Sequence, residues 1–197
     1  MKTLSKKILT ACLALAVAAV MAMPAFAESA TSEAISPNSV QSLFDVPVNK
    51  KVHITSIAYP SGYLNVETPG TVQANNYVGL FHNTGDDSQR WYIEEIDKAN
   101  RIYRVGCYNH TDLALNILSP SQDQPQCTVY PWQSNNPSDY QIKIVNESSN
   151  PIISNTFGFV LNPYLKCMSA TGGDDGDNVV WRSPDSSRSQ LWDITKD

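Results

Sequence analysis

A segment of about fifty residues is written three times in this chain, and a period of that length constrains the fold before any local structure is considered. The clearest register is an aromatic closing each unit: Gln89-Arg90-Trp91-Tyr92-Ile93, Ser138-Asp139-Tyr140-Gln141-Ile142 and Gln190-Leu191-Trp192-Asp193-Ile194. These aromatics stand 49 and 52 positions apart. A second register, Tyr63-Leu64-Asn65-Val66, Ala114-Leu115-Asn116-Ile117 and Tyr164-Leu165-Lys166-Cys167, steps by 51 and 50. A third aligns Val78-Gly79-Leu80-Phe81 with Cys127-Thr128-Val129-Tyr130 and Asn178-Val179-Val180-Trp181.

Each unit divides into four short alternating runs. In the second these are Ile102–Cys107, Leu113–Leu118, Cys127–Trp132 and Tyr140–Val145, separated by Gly, Pro, Asn, Asp and Ser. After the first 27 residues no stretch holds a helical apolar period for ten residues. Three units of four strands give about twelve, and an all-β domain of this kind closes its sheet to remove edges. The expected fold is an all-β β-trefoil with pseudo-threefold symmetry, over residues 50–197, with repeats at about 50–99, 100–149 and 150–197.

Residues 1–27 have the pattern of an export signal. Lys2, Lys6 and Lys7 precede an apolar run from Ile8 to Met23, and Ala25-Phe26-Ala27 is a small-x-small cleavage site. The expectation is a secreted, extracellular protein cleaved after Ala27, without a membrane anchor. Residues 28–49, rich in Ser, Ala, Glu, Asn and Pro, read as a flexible leader from which Leu43, Phe44 or Val46 can dock. Three of the 14 cationic residues fall in the signal, so the mature chain keeps 11 against 19 acidic ones, a net charge of −8. Clustered Lys and Arg are absent, which argues against nucleic acid and anionic membrane as partners. A monomer is expected.

The Gln-x-Trp triplets, the Leu-Asn-Val strand before them and the Val-x-Leu-aromatic strand between resemble the ricin-type β-trefoil lectin family across residues 50–197. The second triplet is degenerate, with Ser138 and Tyr140 in place of Gln and Trp. The resemblance implies carbohydrate binding, with glycans or polysaccharides as partners and no cofactor. Trp91, Tyr140 and Trp192 read as core: a buried aromatic removes roughly 150–250 Å² from water, worth up to about 4–6 kcal/mol. Gln89 and Gln190 are expected to hold a neighbouring turn through buried hydrogen bonds.

The family's sugar sites, by resemblance, use an Asp in the second strand, an aromatic ending the third, and an Asn before the Gln. Here the aromatic is Phe81, Tyr130 or Trp181, and the second-strand residue is Asn65, Asn116 or Lys166. Ser88, Pro137 and Ser189 precede the Gln frame. Loss of the carboxylate forfeits charge-assisted bonds to hydroxyls, although Asp177 lies near Lys166 in the third repeat. The first repeat, with Asn65, Phe81, Asn83, Ser88 and Gln89, is the expected best site. The third offers Trp181, Asp177 and Gln190, and the second Asn116 and Tyr130. Two other readings stay open: a trefoil that binds protein or inhibits a protease through its loops, and a structural trefoil without sugar binding.

Cys107 and Cys127, 20 positions apart in one repeat, are the expected disulfide. The loop it closes is worth about 3 kcal/mol in the chain-entropy model; the alternative is that all the cysteines are small buried apolar side chains. Cys167 falls in the core register of Val66 and Ile117. No metal site is expected, because Gly172–Asn178 lacks the spaced distal carboxylate of a calcium loop. No enzymatic activity is expected either, since the histidines lack a nucleophile motif and the acids cluster in turns rather than facing each other across a cleft.

Overall fold

A computed structural model of the protein describes residues 46–68, 70–133, 141–146 and 156–197. The signal segment 1–27, the leader up to residue 45, and Pro137, Ser138 and Tyr140 of the degenerate triplet lie outside the described residues. Twelve strands are described, and no α-helix among them. The first repeat holds β1 (Lys51–Ser56), β2 (Tyr63–Val66), β3 (Val78–Phe81) and β4 (Trp91–Asp97). The second holds β5 (Ile102–Cys107), β6 (His110–Ile117), β7 (Cys127–Pro131) and β8 (Ile142–Asn146). The third holds β9 (Thr156–Leu161), β10 (Lys166–Ala170), β11 (Val179–Arg182) and β12 (Trp192–Lys196).

First and fourth strands of each repeat form a closed ring, in which β1 pairs with β4, β4 with β5, β5 with β8, β8 with β9, β9 with β12 and β12 with β1. Closure leaves this barrel without an unpaired edge. The second and third strands form three hairpins, β2–β3, β6–β7 and β10–β11. Single bridges join the hairpins in a triangle: Tyr77 to Thr128, Gln126 to Val180, and Asn178 to Gly79.

Strict alternation sets what faces inward. In β1, Val52, Ile54 and Ser56 point in; Ile93, Ile142 and Ile194 do so from the fourth strands. Trp91 and Trp192 are fully buried, and their indole N–H groups donate to the carbonyls of Leu64 at 2.8 Å and Met168 at 3.1 Å. Each anchor thus fills the barrel and ties its hairpin to the wall. The end of the expected leader belongs to this body: Val46 and Val48 pack against the core, and the Asn49 amide donates to the Ile93 carbonyl.

The expected disulfide is corrected. Cys107 and Cys127 are both buried free thiols. Strand β6 lies between β5 and β7, so the two cysteines stand at least two strand spacings apart, more than about 9 Å. A disulfide needs Cα atoms within about 7 Å. Burial pushes the Cys107 thiol up to about 12 and raises that of Cys127 as well, which makes both inert.

Asp197 closes one end of the barrel, with Lys51 at 2.5 Å, Arg90 Nε at 3.0 Å and His53 Nε2 at 3.4 Å. The hydrogen bond from Lys51, with help from Arg90 and His53, holds the Asp197 carboxyl down to about 2. A depressed folded value contributes stability that is complete above the ordinary Asp value of about 3.9 and fades as pH falls through the folded value. In denaturant unfolding across pH, the stability gap between the wild type and Asp197→Asn is expected to be constant near neutrality and to close between about pH 4 and pH 2. A gap that persists to the acid end would refute this role.

Candidate functional site

The outward face of the β2–β3 hairpin carries Tyr63 and Asn65 from one strand and Gly79 and Phe81 from the other, with Tyr63 opposite Phe81 and Asn65 opposite Gly79. Asn65 and Phe81 are half-buried, and with Ser88 and Thr84 they line a cavity of about 340 Å³. Three of the expected first-repeat residues are therefore brought together. Asn83 is not among them. It is exposed, and its Oδ1 accepts from the Gly85 amide at 2.9 Å, which shapes the loop.

That loop is fixed by Gln89. The side chain is fully buried; its Nε2 donates to the His82 carbonyl at 2.7 Å and its Oε1 accepts from the Thr84 amide at 2.9 Å. Gln190 repeats the arrangement on Ser183 and Asp185, at 2.9 and 3.0 Å. Both glutamines spend their amides on backbone, so they position the loop. In the first repeat this turns Thr84, Asp86 and Ser88 toward the cavity. Gly85, at φ +72°, makes the tight bend that an L side chain disfavours.

Sequence reasoning missed Glu67 at this site. Glu67 follows Asn65 by two positions, hence on the same strand face, and its carboxylate lies over Gly79. A Cβ on Gly79 would collide with Glu67 Oε1 and lie 2.8 Å from the Asp177 carbonyl oxygen. Oε1 is buried, with no hydrogen-bond partner among the described residues, and burial pushes the carboxyl above the usual carboxylate range. Glu67 thus places a carboxylate beside Asn65 and Gly79. The signal was the glycine: the residues at the place of Gly79 in the other repeats are Thr128, opposite Asn116, and Val180, opposite Ser169. Their side chains fill what glycine leaves open.

The third repeat is corrected. Trp181 is fully buried, and its indole donates to the Asn116 carbonyl at 3.1 Å; it is core, not a platform. The residue at Phe81's place is Arg182, which pairs with Cys167 at the outer end of the hairpin and precedes Gln190 by the same spacing that separates Phe81 from Gln89. A one-residue slip in a strand exchanges its faces. Arg182 is held by Asp185 at 2.9 Å and Ser189 at 3.2 Å. Likewise Ser169, not Lys166, takes the place of Asn65, since Met168 receives the Trp192 indole as Leu64 receives that of Trp91. The Lys166 ammonium instead holds the carbonyls of Gln122 and Asp123. Asp177 caps the Asp174 amide at 2.7 Å and accepts from the Leu80 amide through its carbonyl. Trp181 therefore offers no platform to Asp177 or Gln190.

In the second repeat Asn116 is buried, at 6% exposure, while Tyr130 is 37% exposed. The amide is thus covered where the ring is open to solvent. The first-repeat loop is further tied to the third repeat, where Asp175 accepts from the His82 amide and meets its imidazole, both at 2.7 Å. These contacts hold Asp175 below the usual carboxylate range and leave His82 packed against Phe81, with ring centroids 4.7 Å apart and planes tilted by 33°.

No family model matches the sequence, and no curated protein does. Solved structures do match. A designed threefold-symmetric protein, ThreeFoil, is 17% identical with a TM-score of 0.63, over 74% of this chain and 98% of that one. The ricin B-like lectin of Macrolepiota procera, solved with lactose, is 12% identical with a TM-score of 0.63, over 78% of this chain and 99% of the lectin. An exo-beta-1,3-galactanase from Clostridium thermocellum is 14% identical with a TM-score of 0.64, but the match spans 31% of that enzyme. At these identities the likeness is one of fold: the chain is a β-trefoil of the kind found in the ricin B-like lectins.

Proposed function

We propose that the chain is an exported carbohydrate-binding protein and that the first repeat carries its saccharide site. The observation that carries this reading is the cavity beside Phe81. A sugar presents a face of C–H bonds and a rim of hydroxyls. Phe81 offers an apolar ring for the face. Asn65, Thr84 and Ser88 offer donors and acceptors for the rim, and Glu67 adds a carboxylate whose charge-assisted bonds are roughly twice as strong as neutral ones. The cavity is small and open on one side, so affinity for a single sugar is expected on the order of mM, about −4 kcal/mol. Retention on a polysaccharide then rests on many sugars presented together.

Phe81→Ala tests the reading. Because the ring is only half-buried, the variant is expected to keep its fold and to lose retention on polysaccharide columns that hold the wild type. Undiminished retention by a folded Phe81→Ala protein would overturn the site.

A further inference from the structure

The same cavity selects for charge. Resting on the saccharide reading above, we propose that the first-repeat site takes a sugar bearing a free, protonated amino group, which pairs with Glu67. Two carboxylates, Glu67 and Asp86, line the cavity, and no Lys, Arg or His does. Neither has an ion-pair partner among the described residues, whereas five acids elsewhere do. Asp87 has Arg90, Asp185 has Arg182, Asp197 has Lys51, Glu94 has Arg104 and Asp175 has His82.

Comparison within the molecule sharpens the point. The position that holds Phe81 in the first repeat holds Arg182 in the third, where its guanidinium neutralises Asp185. The first repeat therefore combines more carboxylate with less cation at equivalent places. Its ring, in place of a guanidinium, is a surface that attracts cations as well as C–H bonds.

The cost of this arrangement also points to a ligand. Glu67 Oε1 is buried without a donor, and desolvation disfavours its charged form. A neutral hydroxyl in the cavity would hydrogen-bond the Glu67 carboxylate but leave a desolvated charge. An ammonium supplies both a donor and the opposite charge, which a partly buried carboxylate rewards more than an exposed one does. Gly79, having no side chain, leaves the space that Glu67 Oε1 occupies. His82, the imidazole nearest to Phe81, is already taken by Asp175.

The test uses six monosaccharides: glucose and galactose, their 2-amino forms and their N-acetylated 2-amino forms. Only the group at one carbon and one hydroxyl stereocentre vary. Titration near pH 7, followed through the backbone amide signals of Asn65, Gly79 and Phe81, gives each dissociation constant. Of at least one epimer, the amino form is expected to bind about tenfold more tightly than its neutral and acetylated counterparts, with the advantage shrinking as salt rises. Glu67→Gln, a conservative change that removes an unpaired buried charge, is expected to bring amino and neutral forms within about twofold of each other. If neutral sugars shift these signals as strongly as amino sugars, the charge selection is wrong and the saccharide reading stands. If the preference survives in Glu67→Gln, its assignment to Glu67 is wrong. If none of the six shifts them, the saccharide reading fails and this inference with it.

Discussion

Trp181→Ala is expected to cost about 3–5 kcal/mol of stability, and to leave retention on polysaccharide unchanged at temperatures where the variant is folded. The side chain is fully buried, and its loss removes both ring volume and the indole donor to the Asn116 carbonyl. For a domain of this size each kcal/mol lowers the melting temperature by about 2–4 °C. Thermal and denaturant unfolding of the variant and the wild type measure the effect. A small loss of stability with a large loss of retention would restore Trp181 as an exposed platform and contradict the register found here.

The second large effect separates two glutamines that look alike in sequence. Gln89→Ala and Gln190→Ala are each expected to cost about 1–3 kcal/mol, because each strands a carbonyl and an amide in a partly buried loop. The functional outcomes should differ. Gln89 places Thr84, Asp86 and Ser88 at the cavity, so its loss should weaken saccharide binding at least tenfold through lost preorganisation. Gln190 holds a loop whose platform position is Arg182 paired to Asp185, so its loss should leave binding within about twofold. Equal losses of binding in the two variants would show that the loops do not act separately.

The sequence by itself determined the period, the twelve strands and the anchors. Each of these depends on residues close along the chain: alternation within five residues, turn residues between runs, and an aromatic recurring at a fixed interval. Trp91 and Trp192 are buried for that reason, and Gln89 and Gln190 form local loops that a seven-residue reach can close. Even the third-repeat register was legible in one interval, since Phe81 stands as far from Gln89 as Arg182 does from Gln190. It was hidden by matching aromatic to aromatic, and by a second-to-third-strand link three residues shorter in the third repeat, 171–178 against 67–77.

Tertiary structure alone decided the rest. The separation of Cys107 from Cys127 is set by β6 lying between their strands, which sequence distance does not encode. Glu67 is a site residue because Gly79 on the paired strand leaves space above it and the third repeat brings the Asp177 carbonyl alongside. Alternation along a strand tells which face a side chain takes. What lies against that face comes from segments a hundred residues away, and that is what turns an ordinary glutamate into an unpaired carboxylate in a cavity.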